Sequence, residues 1–288
     1  MALRPEFLRP SPVLEPYVSY YFVVESDGPQ EDGSPHRVNV LPVPHAQMVF
    51  SYGDESFERV MGGDPACSPA YAITGYTTRT VEYSNPGRLG VIMVGFQPWG
   101  LQSLLRSPLK EATDRNIELR TMYEGVDGLE RSIRRAADNA ARIGLIEAFL
   151  LRNLVRPALD ERMVDAARSV QECGGRIQVK ELCEKYHLER RQFLRRFISC
   201  VGIMPKLFAQ LVRFQSVFEA MDKQPEGIEW SEIAMSAGYY DQAHFINAFR
   251  SFNGHSPTAY QARMHRTELG RLFDGKLSDD DPARRMYL

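Results

Sequence analysis

Arg190, Arg191, Gln192, Leu194, Arg195 and Arg196 crowd one short stretch of this chain. A second stretch, 52 positions further on, carries Gln242, Ala243, His244, Ile246, Asn247 and Arg250. Arg, Asn and Gln in this pattern read hydrogen-bonding edges, and Leu, Ala and Ile beside them offer apolar contact. A guanidinium offers two parallel donors that match O6 and N7 of guanine, worth roughly 1–3 kcal/mol against a wrong base. Asn and Gln pair with adenine in a related way, and Ile can touch a thymine methyl. Arginines set further back neutralise phosphates. No catalytic residue is expected: Cys67, weighed as a nucleophile or methyl acceptor, has no paired cysteine and no adjacent base.

The elements that must position these side chains form an internal repeat. Glu189, Phe193, Phe197, Gly202, Pro205 and Phe208 recur at an offset of 52 as Asp241, Phe245, Phe249, Gly254, Pro257 and Tyr260. Each copy reads as an acidic N-cap, a helix burying aromatics at i and i+4, a glycine reversal and a proline-started helix. Upstream of each cap lies a short helix with a small residue, Cys183 or Ala234, and a tight turn four residues later, at His187 or Gly238. The turn requires positive φ, which suits Gly238 better than His187. That arrangement is a helix-turn-helix, whose second helix enters the major groove of duplex DNA.

At 100° per residue, burying Phe193 and Phe197 turns Arg191 and Arg195 outward with Gln192 and Leu194 beside them. Burying Phe245 and Phe249 exposes Ala243 and Asn247, flanked by Gln242, His244 and Ile246. Arg190, Arg196 and Arg250 fall nearer the core edge, at phosphate height. Between the units, Pro205–Met221 reads as one long helix with Leu207, Leu211, Phe214, Phe218 and Met221 on related faces. Such a connector would hold two recognition helices about 34 Å apart, one DNA turn. Net charge is −2, but residues 176–213 hold nine Lys/Arg against three acids, while 219–241 hold six acids against Lys223. The first unit is therefore expected to bind DNA more strongly than the second.

Residues 1–105 read as β-rich, with strands at Tyr17–Glu25, Arg37–Val40, Gln47–Tyr52, Ala70–Tyr76, Thr78–Tyr83 and Leu89–Gln97, suggesting a small barrel or sandwich. Turn chemistry at Asp27-Gly28-Pro29, Gly62-Gly63-Asp64-Pro65 and Asn85-Pro86-Gly87 separates them. A short helix at Leu101–Leu105 and two longer ones, Val126–Asn139 and Ala141–Leu154, follow. The last carries Leu145, Ile146, Phe149, Leu150 and Leu154, part of which covers the strands while the rest is a candidate dimer seam. Arg156-Pro157 ends it, and a seven-helix segment begins near Asp160. The tail, with Asp279-Asp280-Asp281, reads as mobile.

The segments Ile233-Ala234 through Gly238-Tyr239, Asp241-Gln242, His244-Phe245, Ala248-Phe249-Arg250 and Gly254-x-Ser256-Pro257-x-x-Tyr260 resemble the AraC/XylS family of bacterial transcription regulators. The likeness covers about 90 residues. It implies base contacts from Arg191, Leu194 and Arg195, and corresponding positions at Gln242, Ala243, His244, Ile246 and Asn247. Glu189 departs from the family's serine cap and His187 from its glycine. Phe96-x-Pro98-x-Gly100-Leu101-x-x-Leu104-Leu105, leading to Thr113-Asp114, resembles that family's cupin-type sensor domains, which implies a β-barrel holding a small molecule and helices that dimerise.

The fold expected is α+β in two domains: 1–157 a cupin-like β-barrel with following helices, 160–266 an all-α domain with two helix-turn-helix units, then a tail at 267–288. An effector pocket is expected from Tyr20, Phe22, His45, Met48, Phe50, Tyr76, Met93 and Phe96. The alternative, a cupin-type metalloenzyme fused to a DNA-binding module, has only His36 and His45 to offer, without a His-x-His pair, so neither metal nor other cofactor is expected. The expected partners are double-stranded DNA, a small-molecule effector and a second copy of the chain, with RNA polymerase as a further candidate. No apolar run approaches the roughly 18 residues of a membrane span. The N-terminus lacks a signal-peptide core, and the four cysteines form no Cys-x-x-Cys pair, which places the chain in the cytoplasm with reduced thiols.

Overall fold

A computed structural model of the chain describes residues 3–60, 63–104, 109–155, 159–222 and 229–264. Leu105, the Arg156-Pro157 helix end, Lys223 and the tail lie outside the described residues.

Among the described residues, ten strands form two facing sheets. The strands are β1 Arg4–Leu8, β2 Val18–Glu25, β3 His36–Val40, β4 Gln47–Ser51, β5 Phe57–Val60, β6 Ala66–Cys67, β7 Tyr71–Thr74, β8 Val81–Asn85, β9 Gly90–Phe96 and β10 Asn116–Glu118. The larger sheet runs β1-β2-β9-β4-β7-β10 and the smaller β3-β8-β5-β6. Among the described residues the strands do not close on one another, so the expected barrel is corrected to a two-layer arrangement. The four strands absent from the sequence reading are β1, β5, β6 and β10, in which no residue is fully buried. Three of them are edge strands, where polar residues and proline keep the free edge from pairing elsewhere.

Both faces of the larger sheet are covered. On β2 and β9, Tyr21, Val23, Ile92 and Val94 turn towards helices, with Met48 and Phe50 of β4 in the same layer. Tyr20, Phe22 and Val24 turn towards the smaller sheet. Double burial explains why β2 (VSYYFVVE) reads as a nearly continuous apolar run and not as an alternation.

Two helices, α1 Val126–Arg135 and α2 Asn139–Asn153, pack on the outer layer. The boundary between them falls earlier than expected because Asp138 caps α2, accepting from Ala141 N at 2.8 Å. Ile143, Ile146, Phe149 and Leu150 are buried, whereas Leu145 and Leu154 are only half-buried. Seven further helices follow among the described residues: α3 Glu161–Glu172, α4 Val179–Lys185, α5 Arg190–Val201, α6 Pro205–Asp222, α7 Trp230–Ser236, α8 Gln242–Asn253 and α9 Pro257–Met264.

One apolar cluster runs from the outer layer of the large sheet into this helical domain. Among the described residues, three polar ties cross the junction. Gln215 of α6 donates Nε2–H to the Pro42 carbonyl at 2.6 Å. Thr80 donates both its backbone N–H (3.0 Å) and its hydroxyl (3.2 Å) to the Phe252 carbonyl near the end of α8. The Arg168 guanidinium lies over the Trp99 ring at 5.1 Å.

Candidate nucleic-acid interface and effector cavity

Each unit is built as two helices around a left-handed turn. Gly238 has φ +77° and His187 φ +51°, so the histidine adopts the strained conformation that glycine adopts freely. The turns close alike: Leu188 N donates to Cys183 O at 3.0 Å, and Tyr239 N to Ala234 O at 2.9 Å. Gly202 (φ +93°) and Gly254 (φ +83°) then end α5 and α8 with matching left-handed caps. Ring contacts repeat as well. Phe193–Phe197 and Phe245–Phe249 both lie at 5.8 Å, while Phe197–Phe208 and Phe249–Tyr260 lie at 5.8 and 5.6 Å.

The copies are not superposable throughout. Small residue and turn repeat at an offset of 51, cap and aromatics at 52, so the second turn holds one extra residue. Tyr240 sits in that insertion, 92% exposed at the entry to α8. Sequence reasoning passed over it; the slip from 51 to 52 was the available signal.

The caps also differ. Asp241 accepts from His244 N at 2.7 Å, a side-chain cap. Glu189 makes no such bond, which corrects the expectation of two acidic caps; its longer side chain leaves the first turn of α5 to its backbone. Asp241→Ala is expected to cost about 1 kcal/mol of stability. Glu189→Ala should cost nothing measurable and should tighten DNA binding by removing a charge beside phosphates. Paired denaturation midpoints check this, and equal losses in the two variants would contradict the asymmetry.

Arg190, Arg191, Gln192 and Arg195 are exposed on α5, with Leu194 half-buried. Arg196 is elsewhere: its guanidinium forks onto Asp160 at the start of α3, at 2.7 and 2.8 Å. This corrects its assignment to phosphate, because both arms of the fork are committed to a carboxylate. The same contact holds the Asp160 carboxyl below its ordinary pKa. On α8, Gln242, Ala243, His244, Asn247 and Arg250 are exposed and Ile246 is half-buried. The His244 ring packs edge-on against Tyr239 at 5.4 Å. The acidic flank contributes exposed Glu229, Glu232 and Asp241; its residues 223–228 lie outside the described residues. The helix joining the units, α6, meets α5 at 57°. Its 18 residues span about 27 Å at 1.5 Å each.

Between the two sheets lies a cavity of about 420 Å³ whose walls include Phe22, Val38, Val49, Val91, Met93 and His45. Phe22 is paired with Met93, and Met93 with Val49, so cross-strand register puts them on one face. His45 is half-buried, with Nε2 and the Tyr20 hydroxyl 2.8 Å apart. Burial depresses the His45 pKa to about 4, leaving the ring neutral near pH 7, and pushes the Tyr20 pKa up. Five of the eight residues expected here are not among its walls, which corrects that part of the pocket; Tyr20 meets the wall only through its bond to His45. Met48, Phe50 and Phe96 face the helical layer, and Tyr76 is fully buried with its hydroxyl donating to Pro98 O at 3.0 Å. The aliphatic walls (Val24, Val38, Val40, Val43, Val49, Leu89, Val91) were passed over in favour of aromatics. Cross-strand register, not the sequence pattern, places them there.

His36 donates Nε2–H to the Gly28 carbonyl at 2.7 Å. Among the described residues no group of three or more His, Cys, Asp or Glu could hold a metal ion. Nor is any single described helix long and apolar enough to cross a membrane.

Two family profiles match the chain. One, described as a helix-turn-helix domain, covers residues 182–263, hence both units. The other, a domain of unknown function (DUF6597), covers residues 6–118, hence both sheets. An uncharacterised HTH-type transcriptional regulator of Haemophilus influenzae is 25% identical over 141 residues, 47% of each chain. The HTH-type transcriptional regulator MtrA of Neisseria gonorrhoeae is 33% identical over 75 residues, 26% of this chain and 24% of that one. The chain thus spans about half or less of the curated relatives it matches. Among solved structures, ToxT from Vibrio cholerae aligns at 10% identity and TM-score 0.43, covering 90% of this chain and 98% of that one. The DNA-binding domain of AdpA in complex with a target DNA aligns at 24% identity and TM-score 0.32, covering 38% and 96%.

Proposed function

We propose that this chain, whose C-terminal domain is an AraC-type helix-turn-helix pair, is a sequence-specific regulator of transcription governed by a small molecule held between its N-terminal sheets. The observation that carries the reading is the repeated exposure of α5 and α8. Two helices of 12 residues, each buried through paired phenylalanines, turn Arg191, Gln192 and Arg195, and Gln242, Ala243, His244 and Asn247, to solvent. In this reading those residues, with Leu194 and Ile246, contact base edges. Arg190 and Arg250 contact phosphates, and the exposed Tyr240 hydroxyl joins them.

Control from the cavity has a short route. Val43, Gly75, Thr77 and Val81 border it, and the Pro42 and Thr80 ties to α6 and α8 spring from the same two loops. A ligand that shifts either loop biases the placement of the second recognition helix. The chain works as a homodimer through the outward edge of α2, where Leu151 is 40% exposed, and contacts RNA polymerase once bound.

Genome-wide mapping of bound sites, followed by titration of the recovered sequence and a scrambled control, tests the reading. A specific site should bind at least about a thousandfold more tightly than the control, and equal affinity would sink the proposal. Arg250→Ala should weaken binding to both DNAs alike and lower the salt slope by about one.

A further inference from the structure

The walls of the inter-sheet cavity constrain what fills it. Its walls are mostly hydrocarbon, with Phe22, Val38, Val49, Val91 and Met93 among them; of the two lining imidazoles, His36 spends Nε2–H on the Gly28 carbonyl and His45 lies against Tyr20. The His45 imidazole is held neutral near pH 7 by burial and bonded to the Tyr20 hydroxyl, so it offers a hydrogen bond but no counter-charge to an anion. The rim is acidic, with Asp54, Glu55 and Glu118 among the lining residues. Arg134 is the one Lys or Arg among the described lining residues, and its guanidinium is already engaged. It donates to Tyr52 O at 3.0 Å and Gly53 O at 3.3 Å, and pairs with Glu130 at 3.2 Å. A carboxylate entering this cavity would pass three acids, meet no uncommitted guanidinium and lose its hydration without a counter-charge.

Resting on the reading of this cavity as the effector site, we propose that its ligand is an uncharged, mostly hydrocarbon small molecule with one hydrogen-bonding group directed at the Tyr20–His45 pair. The cavity volume corresponds to about fourteen water-sized groups at ~30 Å³ each, enough for a medium-length chain or one to two rings. The apolar walls supply affinity through area removed from water, and the Tyr20–His45 pair supplies orientation.

The test uses the full chain and three probes sharing one carbon skeleton: decanol, decanoate and decylamine at neutral pH, followed by calorimetry and thermal shift. Decanol should bind at least about tenfold more tightly than decanoate, since only the anion arrives unpaired. Decanoate binding as well as decanol, decylamine outbinding decanol, or no binding by any of the three would each overturn the proposal. Val91→Phe, and separately Val49→Phe, should fill the cavity and abolish decanol binding in protein that still melts cooperatively; undiminished binding in both would place the ligand elsewhere and overturn the assignment. Operator affinity with and without decanol is read separately. Binding without any effect on DNA affinity would refute the effector role while leaving the ligand class intact.

Discussion

Phe249→Ala should cost the helical domain about 3–5 kcal/mol, the range for emptying a large aromatic site in a packed core. Phe249 is fully buried, and its ring meets Phe214 at 5.4 Å, Tyr260 at 5.6 Å, Phe245 at 5.8 Å, Phe218 at 6.0 Å and Trp230 at 6.4 Å. Those partners come from α6, α7, α8 and α9, so one ring ties the second unit to its connector. The gap left by alanine cannot close without moving several helices at once, which pushes the cost towards the top of the range. Against a total stability of about 5–15 kcal/mol, that loss is enough to unfold the second unit in part of the population. Urea titration should show a lowered midpoint, and binding to a full operator should fall while Phe249→Leu keeps most of both. A loss below about 1 kcal/mol would mean the ring cluster is not what orders α8.

The helical domain was legible because its signals are local and doubled. Phenylalanines at i and i+4, glycine at each left-handed cap and proline at each following helix start leave the same trace twice, and each is enforced by backbone geometry. His187 shows how far this reaches: φ +51° at a histidine is costly, yet the turn's spacing alone required it. What stayed hidden depended on distant partners. Nothing near Arg196 in sequence announces Asp160, some 36 residues upstream, and a fork bond of that separation converts an apparent phosphate contact into a tie between α3 and α5. Glu189 and Asp241 look interchangeable as letters, but one extra methylene separates a side chain that caps from one that does not.

The sheet domain was legible in its main strands and not in its faces. Tyr20, Tyr21, Phe22, Val23 and Val24 are all buried, so no hydrophobic alternation marks which parity looks into the cavity. Cross-strand register decides it, pairing Phe22 with Met93 while Phe50 meets Ile92 in the opposite layer. A one-residue change of parity moves every side chain to the other face, which is why half of the expected pocket fell on the helical side. Closure of the sheets was equally out of reach, since it depends on the edge strands β1 and β10, whose polar and half-exposed residues do not stand out.

Arg191→Ala combined with Arg195→Ala should abolish specific recognition while leaving the fold untouched. Both side chains are exposed, and surface substitutions of that kind change stability by no more than about 0.5 kcal/mol. Each guanidinium removed from a guanine edge costs roughly 1–3 kcal/mol, so the pair should lose at least about thirtyfold in operator affinity, short of strict additivity because the residues are one helical turn apart. The loss should concentrate at guanine positions and spare scrambled DNA more than the operator, in contrast to the equal loss expected for Arg250→Ala. The local charge predicts an inequality between the units: Asn247→Ala, on a helix flanked by exposed Glu229, Glu232 and Asp241, should cost less than Arg191→Ala alone. Equal costs would show that the acidic flank does not weaken the second unit. Arg196→Ala serves as the internal control. Its guanidinium is committed to Asp160, so it should lose no more than about 1 kcal/mol of stability and no DNA affinity, whereas an equal loss on operator and scrambled DNA would return it to the phosphate contacts.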